Sequence, residues 1–92
     1  MSLANAHKIV GIRELTDTVY VLRVEREDLC FEAGQHVTLG LHGSGINREY
    51  SIYSSEDAPF LEFLLKVRPA SVTGRSIREA SPGDTVDIAG PY

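Results

Sequence analysis

Residues 18–26 read TVYVLRVER, and this stretch decides the fold because its apolar and polar side chains alternate. Tyr20, Leu22 and Val24 fall on one face of an extended chain, while Arg23 falls on the other. An amphipathic helix would instead repeat its apolar residues every three to four positions. The stretch therefore predicts a β-strand with one face over a hydrophobic core.

The same period of two recurs along most of the chain, in segments separated by Gly-, Pro- and Asp-containing turns. One stretch departs from it: residues 73–80, TGRSIREA, predict a short helix that ends before Pro82. We predict an all-β fold, a closed or nearly closed six-stranded antiparallel Greek-key barrel with one short helix before the last strand, because closure removes exposed strand edges. The other predicted strands are HKIVGIREL (7–15), QHVTLGLH (35–42), REYSIYS (48–54), FLEFLLKVR (60–68) and DTVDI (84–88).

Length and charge limit the function classes. With 92 residues the chain is expected to be one domain, residues 1–92. Its formal net charge is −4 and it has no run of Lys and Arg, which argues against nucleic acid and anionic membranes as partners. No apolar stretch approaches the roughly 20 residues of a membrane span, and the N-terminus lacks the apolar region of a signal peptide.

The only cysteine, Cys30, excludes an intrachain disulfide and fits a reducing compartment, so a cytoplasmic location is expected. Its apolar neighbours favour a small buried filler over a reactive thiol. The three histidines, His7, His36 and His42, show no metal-ligand spacing with the cysteine or with one another. We therefore predict no metal site.

Residues 47–55, NREYSIYSS, carry groups that a strand made only to fill a core would not need. On a regular strand Arg48 and Tyr50 lie about 7 Å apart on the same side. A guanidinium is a planar fork for a phosphate or carboxylate, and a tyrosine ring is a flat surface for another ring. The alternative is a surface Arg–Glu pair beside two core tyrosines.

A second candidate for anion binding is SVTGRSI, residues 71–77, at the predicted helix start. Exposed backbone N–H groups there favour negative charge, and an ordinary capped helix is the alternative. The side chains that can add hydroxyl donors or a positive charge are Ser71, Thr73, Arg75 and Ser76.

Four segments, taken in order, resemble the flavin (FAD)-binding domain of the ferredoxin–NADP reductase superfamily. REYS, residues 48–51, is similar to the R-x-Y-S flavin motif of that family, and FEAGQHVTL (31–39) to its F-x-x-G-Q strand. LEFLLKV (61–67) is similar to the strand that follows, and IREASPGDTVDIAGPY (77–92) to the end of the phosphate helix, the P-G-D turn and the closing strand.

The resemblance implies roles for individual residues. Arg48 would bind the flavin phosphate or pyrophosphate, Tyr50 would stack on the isoalloxazine, and Ser51 would hydrogen-bond near its N5, which makes Tyr50 and Ser51 the residues at the reacting centre. Three residues would border the flavin, partly through their backbones: Leu65, Lys66 and Val67. The phosphate cradle would consist of Val72, Thr73 and Gly74.

The sequence also departs from the family pattern. Residues 69–71, Pro-Ala-Ser, replace the glycines usual before the cradle. The position that usually carries a hydroxyl in the cradle aligns with either Thr73 or Gly74. An ideal strand places Ser51 opposite Tyr50, so both can reach one ligand only if the strand curls or bulges.

The resemblance implies the flavin domain of an NAD(P)H-dependent oxidoreductase, which passes electrons through FAD, rather than FMN, to a protein acceptor. That acceptor would be an iron–sulfur protein such as ferredoxin, a flavodoxin or a haem protein. Such enzymes use NAD(P)H through a nicotinamide-binding domain that is absent from this chain, so the isolated chain is expected to lack efficient turnover. The alternative is a non-catalytic interaction or regulatory module on the same barrel.

Overall fold

A computed structural model describes residues 5–67 and 72–92, and this part of the chain contains six strands and one short helix. The predicted all-β class and the position of the helix are confirmed. In chain order the elements are β1 (Asn5–Glu14), β2 (Val19–Glu25), β3 (His36–Leu41), β4 (Arg48–Ser51), β5 (Phe60–Lys66), α1 (Val72–Arg78) and β6 (Thr85–Ala89).

The strands form one antiparallel sheet in the order β4-β3-β6-β1-β2-β5. The last strand thus inserts between β3 and β1, which is a Greek-key connection. The two edge strands approach each other where Ile52 bridges Phe63 and the amide of Tyr53 donates a 2.7 Å hydrogen bond to the carbonyl of Glu62. The sheet therefore closes into the nearly complete barrel that the alternation predicts.

Strand β1 pairs with two neighbouring strands in succession. Residues 5–8 pair with β6, and from Ile9 onward the strand pairs with β2. The register shifts between Ile9 and Gly11, which marks a β-bulge at the change of partner. A bulge bends a strand and increases its twist, and here it carries β1 from one half of the barrel to the other.

The core fills the barrel interior with the alternate residues of each strand. In β2 the predicted inward row, Tyr20, Leu22 and Val24, is at most 1% exposed. Helix α1 contributes Ile77, which is fully buried within the same core cluster. The other members of the cluster are Ile9, Phe31, Val37, Leu39, Leu61, Phe63, Leu65, Val86 and Ile88.

Two local predictions need correction. The segment predicted as one strand over 48–54 pairs with β3 only as far as Ser51, because the chain then crosses to β5 to close the barrel. The prediction that Cys30 is a buried filler is wrong: its thiol is exposed, while Phe31 beside it is buried. Cys30 lies in the unpaired connection between β2 and β3, where a period of two gives no guide to orientation.

Among the described residues, no helix is both long and apolar enough to cross a membrane.

Candidate functional site

The predicted anion-binding arginine lies at the rim of the barrel. Arg48 begins β4 and pairs with Leu39, whose side chain is buried, yet Arg48 itself is exposed. Within residues 5–67 and 72–92 it makes no ion pair, so the alternative of a surface Arg–Glu pair is not what the structure contains. An exposed guanidinium without a carboxylate partner keeps its planar fork available for an anionic ligand.

Tyr50 lies two residues further along β4, on the same side as Arg48. It pairs with the fully buried Val37, is itself half-buried, and packs against the core cluster. One part of this ring is therefore fixed by packing, while another part remains accessible at the rim. Tyr53, in contrast, is 53% exposed and is not a core tyrosine.

Ser51 ends β4 and lies on the opposite side of the strand from Tyr50. It pairs with His36 and its side chain is exposed. The register with β3 runs unbroken from Arg48 to Ser51, and the change of direction comes at Ile52, immediately after the motif. The chain therefore leaves β3 only after Ser51, and β4 contains no bulge between Tyr50 and Ser51.

Thr73, in the first turn of α1, carries an unsatisfied buried hydroxyl. The residue is 4% exposed, and its Oγ1 has no hydrogen-bond partner in the described part of the chain. Buried side-chain oxygens are nearly always hydrogen-bonded, so such an atom needs an explanation. Thr73 lines a small cavity of about 20 Å³ with Ser44 and Ile46, large enough for one water-sized group. The structure thus places a buried hydroxyl of the predicted cradle at Thr73.

The rest of the predicted cradle surrounds Thr73. Val72 is 45% exposed, Arg75 is exposed and Ser76 is half-buried, so this turn presents an apolar side chain and a positive charge at the surface. Gly74 is buried and its carbonyl accepts a hydrogen bond from the hydroxyl of Tyr20 at 2.7 Å. Ser71 and the preceding Pro-Ala lie outside the described residues.

The three residues predicted to border a flavin differ in exposure. Leu65 is fully buried in the core, so its side chain is committed to packing and only its backbone can face a ligand. Lys66 is exposed, and Val67 is half-buried against the core cluster. Lys66 thus adds a further positive side chain to the surface beside this strand end.

Tyr20 contacts the predicted cradle through Gly74, whereas the alternation pattern predicted it only as a core residue. Burial raises the pKa of Tyr20 well above the ordinary 10.0; the nearby Tyr50 raises it further, and Arg78 lowers it. The phenol therefore stays neutral and able to donate near neutral pH. The available signal in the sequence was a tyrosine, not a phenylalanine, in the inward row of a strand, since a buried hydroxyl needs a partner.

The loop after β3 is held against the barrel by a carboxylate. Asp87 accepts a hydrogen bond from the backbone amide of Gly43 at 3.3 Å and lies 2.7 Å from Nδ1 of His42. The loop leads directly into Arg48, so these contacts help to place the start of β4. Sequence reasoning did not identify this connection, because the residues are more than 40 positions apart.

A cleft of about 550 Å³ lies elsewhere and contains none of the predicted site residues. It is lined partly by His7, Glu27, Asp28 and Cys30. Among the described residues no group of three or more His, Cys, Asp and Glu side chains is placed to hold a metal ion.

Known proteins resemble this chain over most of its length. The model of the oxidoreductase FAD-binding domain family matches residues 8–92. The flavodoxin/ferredoxin–NADP reductase of Escherichia coli (strain K12) is 35% identical over 83 residues, which are 88% of this chain and 34% of that protein. The reductase subunit of an aromatic O-demethylase from Amycolatopsis is 38% identical over 78 residues, covering 82% of this chain and 23% of that protein.

A crystal structure of a ferredoxin NADP⁺ reductase from Neisseria gonorrhoeae with bound FAD and NADP superimposes with a TM-score of 0.84 at 27% identity. It covers 97% of this chain, which corresponds to 39% of that protein. The chain thus spans about a third or less of the length of the curated relatives given above. It belongs to the oxidoreductase FAD-binding domain family, with the ferredoxin reductase-like barrel of that family.

Proposed function

We propose that this chain is the FAD-binding domain of an NAD(P)H-dependent oxidoreductase that passes electrons to a protein acceptor. Two relatives support the proposal by name, since one is a flavodoxin/ferredoxin–NADP reductase and the other the reductase subunit of an aromatic O-demethylase. The acceptor proposed here is accordingly an iron–sulfur protein, a flavodoxin or a haem protein. NAD(P)H would act only in the whole enzyme, through another domain.

The observation that carries the proposal is the exposed guanidinium of Arg48 without an ion-pair partner in the described chain, on the same side of β4 as the half-buried ring of Tyr50. A flavin nucleotide combines a flat ring system with phosphate, which is the chemistry that these two side chains recognise. The unsatisfied buried hydroxyl of Thr73 fits the same ligand as a further hydrogen-bond donor for phosphate.

FAD, when bound, would supply the redox chemistry, which is hydride acceptance and one-electron transfer. The chain's own residues bind and orient it. Arg48 and Thr73 would hold the phosphate end, while the packing of Tyr50 against the core fixes the plane on which a ring can rest. The unbroken register of β4 leaves Ser51 on the opposite side of the strand from Tyr50, so we propose no contact between Ser51 and the ring.

FAD is proposed over FMN. The matching family is described as FAD-binding, and the Neisseria structure holds FAD. Lys66 and Arg75 are exposed cations without ion pairs in the described segments and add positive charge for a ligand with two phosphates.

The test is a titration of the purified chain with FAD and, separately, with FMN, followed by the quenching of flavin fluorescence. We expect saturable binding that is tighter for FAD. Arg48→Ala and Tyr50→Ala should each weaken it about 10- to 100-fold, as expected for a charged hydrogen bond or an aromatic contact. Arg13→Ala is the matched control, because Arg13 is also exposed and unpaired among the described residues but lies on β1.

Equal losses in Arg13→Ala and Arg48→Ala would show that only overall charge matters and would contradict a specific clamp. A folded chain that binds neither flavin would reject the proposal for these residues and favour the alternative of a non-catalytic interaction module.

A further inference from the structure

The hydroxyl of Tyr20 makes a buried connection between β2 and the first turn of α1. It donates a 2.7 Å hydrogen bond to the carbonyl of Gly74, and Tyr20 is 1% exposed. Phenylalanine would fill the same space in the core without a polar atom, so packing alone does not require the hydroxyl. A buried hydroxyl needs a hydrogen-bond partner, and here the Gly74 carbonyl of α1 is that partner.

Helix α1 depends on such contacts for its position. It has seven residues, and helices this short are not stable on their own. Its last turn is held from outside by Arg78, which donates to the carbonyl of Asp17 at 2.7 Å and to Oε1 of Glu14 at 2.8 Å. Its first turn is held from inside by Tyr20. The two anchors therefore act on different ends of the helix.

The inner anchor lies beside the turn that carries the predicted cradle. Its acceptor, Gly74, directly follows Thr73, whose buried hydroxyl is unsatisfied within the described residues. The hydrogen bond from Tyr20 therefore fixes the backbone next to that hydroxyl.

We propose that Tyr20 is a positioning residue for phosphate binding: its hydroxyl fixes the turn of Val72, Thr73 and Gly74 in the orientation that receives a phosphate group of the flavin nucleotide. This inference rests on the proposed function, because it assigns a role within the same site. Tyr20 itself is buried beneath that turn and acts through the Gly74 carbonyl.

Tyr20→Phe tests the proposal, since it removes one oxygen and leaves the ring. The affinities of the wild-type chain and the variant are measured for FAD and for riboflavin, which has the same ring system but no phosphate. We expect Tyr20→Phe to weaken FAD binding about tenfold, the usual effect of losing one buried hydrogen bond, and to leave riboflavin binding unchanged within about twofold. Tyr53→Phe, which removes an exposed phenol, is the matched control and should change neither.

A second measurement covers the case in which riboflavin binds too weakly for comparison. Amide hydrogen exchange of the ligand-free chain should become faster in Tyr20→Phe at residues 76–78, whose amides donate to the carbonyls of the first helical turn, while the strands of the barrel keep their protection. Faster exchange throughout the barrel would instead show a general loss of stability and would overturn the proposal.

The remaining outcomes separate this inference from the proposed function. Unchanged FAD affinity in Tyr20→Phe, or equal losses for FAD and riboflavin, would overturn the positioning role and leave the flavin site standing. A wild-type chain that binds no flavin would overturn the proposed function and this inference with it.

Discussion

Gly40 and Ile46 are in such close contact that a β-carbon on Gly40 would overlap the carbonyl oxygen of Ile46. The side-chain oxygen of Asn47 occupies the same space from the other side. The loop between β3 and β4 therefore folds back onto β3, and it does so at the two residues directly before Arg48. The position of the proposed anion-binding residue thus depends on the absence of a side chain at Gly40.

Gly40→Ala should accordingly destabilise the chain by about 1–3 kcal/mol, the usual cost of overpacking, because backbone atoms cannot move aside cheaply. Gly11→Ala is the matched control, since a β-carbon at Gly11 meets no atom within 4 Å and its φ lies outside the left-handed region that favours glycine. Urea unfolding of both variants measures the difference. Equal destabilisation by the two substitutions would show that the loop does not hold this position.

Leu64 and Leu65 are adjacent on β5 but point to opposite sides of the sheet, with 39% and 0% of each residue exposed. Leu65→Ala should cost about 2–5 kcal/mol because it leaves a cavity in the core, whereas Leu64→Ala should cost less than about 1 kcal/mol. Denaturant midpoints of the two variants check the predicted orientation. Similar losses for both would contradict the register of β5 against β2.

The stability of the chain should fall in alkaline solution through Tyr20. The pKa of this group is higher in the folded chain than its unfolded value of 10.0, so the folded form holds the proton more tightly. The associated stability is fully present below about pH 10 and is lost as the pH rises above it. Urea midpoints measured between pH 8 and 11 should decline less in Tyr20→Phe than in the wild type.

Tyr53→Phe serves as the reference for that series, because it removes an exposed phenol and should keep the wild-type slope. A decline that is identical in the wild type and in Tyr20→Phe would mean that the buried phenol does not contribute to the pH dependence.

Cys30 should react with a thiol reagent in the folded state, because its side chain is exposed in the cleft between β1 and the connection that follows β2. Release of the coloured thiolate from an aromatic disulfide reagent, measured with and without denaturant, is the assay. We expect complete modification of one thiol per chain in both conditions. Reaction only after unfolding would support the buried filler that the sequence predicted.

The barrel itself could be predicted because its physical cause is local. Alternation places Leu22 and Val24 on one face wherever the strand goes, and turn residues mark where it ends. The arrangement of strands needed further information, since neither the partner change of β1 at Ile9 nor the bridge between Ile52 and Phe63 is encoded by a local pattern.

The candidate site could be predicted in part. The side chains of Arg48 and Tyr50 share one side because of the strand period, as expected. The unsatisfied hydroxyl of Thr73 and the bond from Tyr20 to Gly74 arise from packing between distant segments, which composition and spacing do not specify. Cys30 was assigned wrongly for the same reason, because apolar neighbours in sequence do not determine the direction of a side chain in an irregular connection.

The most direct measurement is the change in backbone amide NMR shifts of the chain on addition of FAD. The account predicts that the largest changes fall on two separate segments, residues 48–51 of β4 and residues 72–74 of α1, and that in Arg48→Ala they require about 10- to 100-fold more FAD. Changes centred instead on the cleft near Cys30, or none at saturating FAD in a folded chain, would contradict a flavin site at the R-x-Y-S strand.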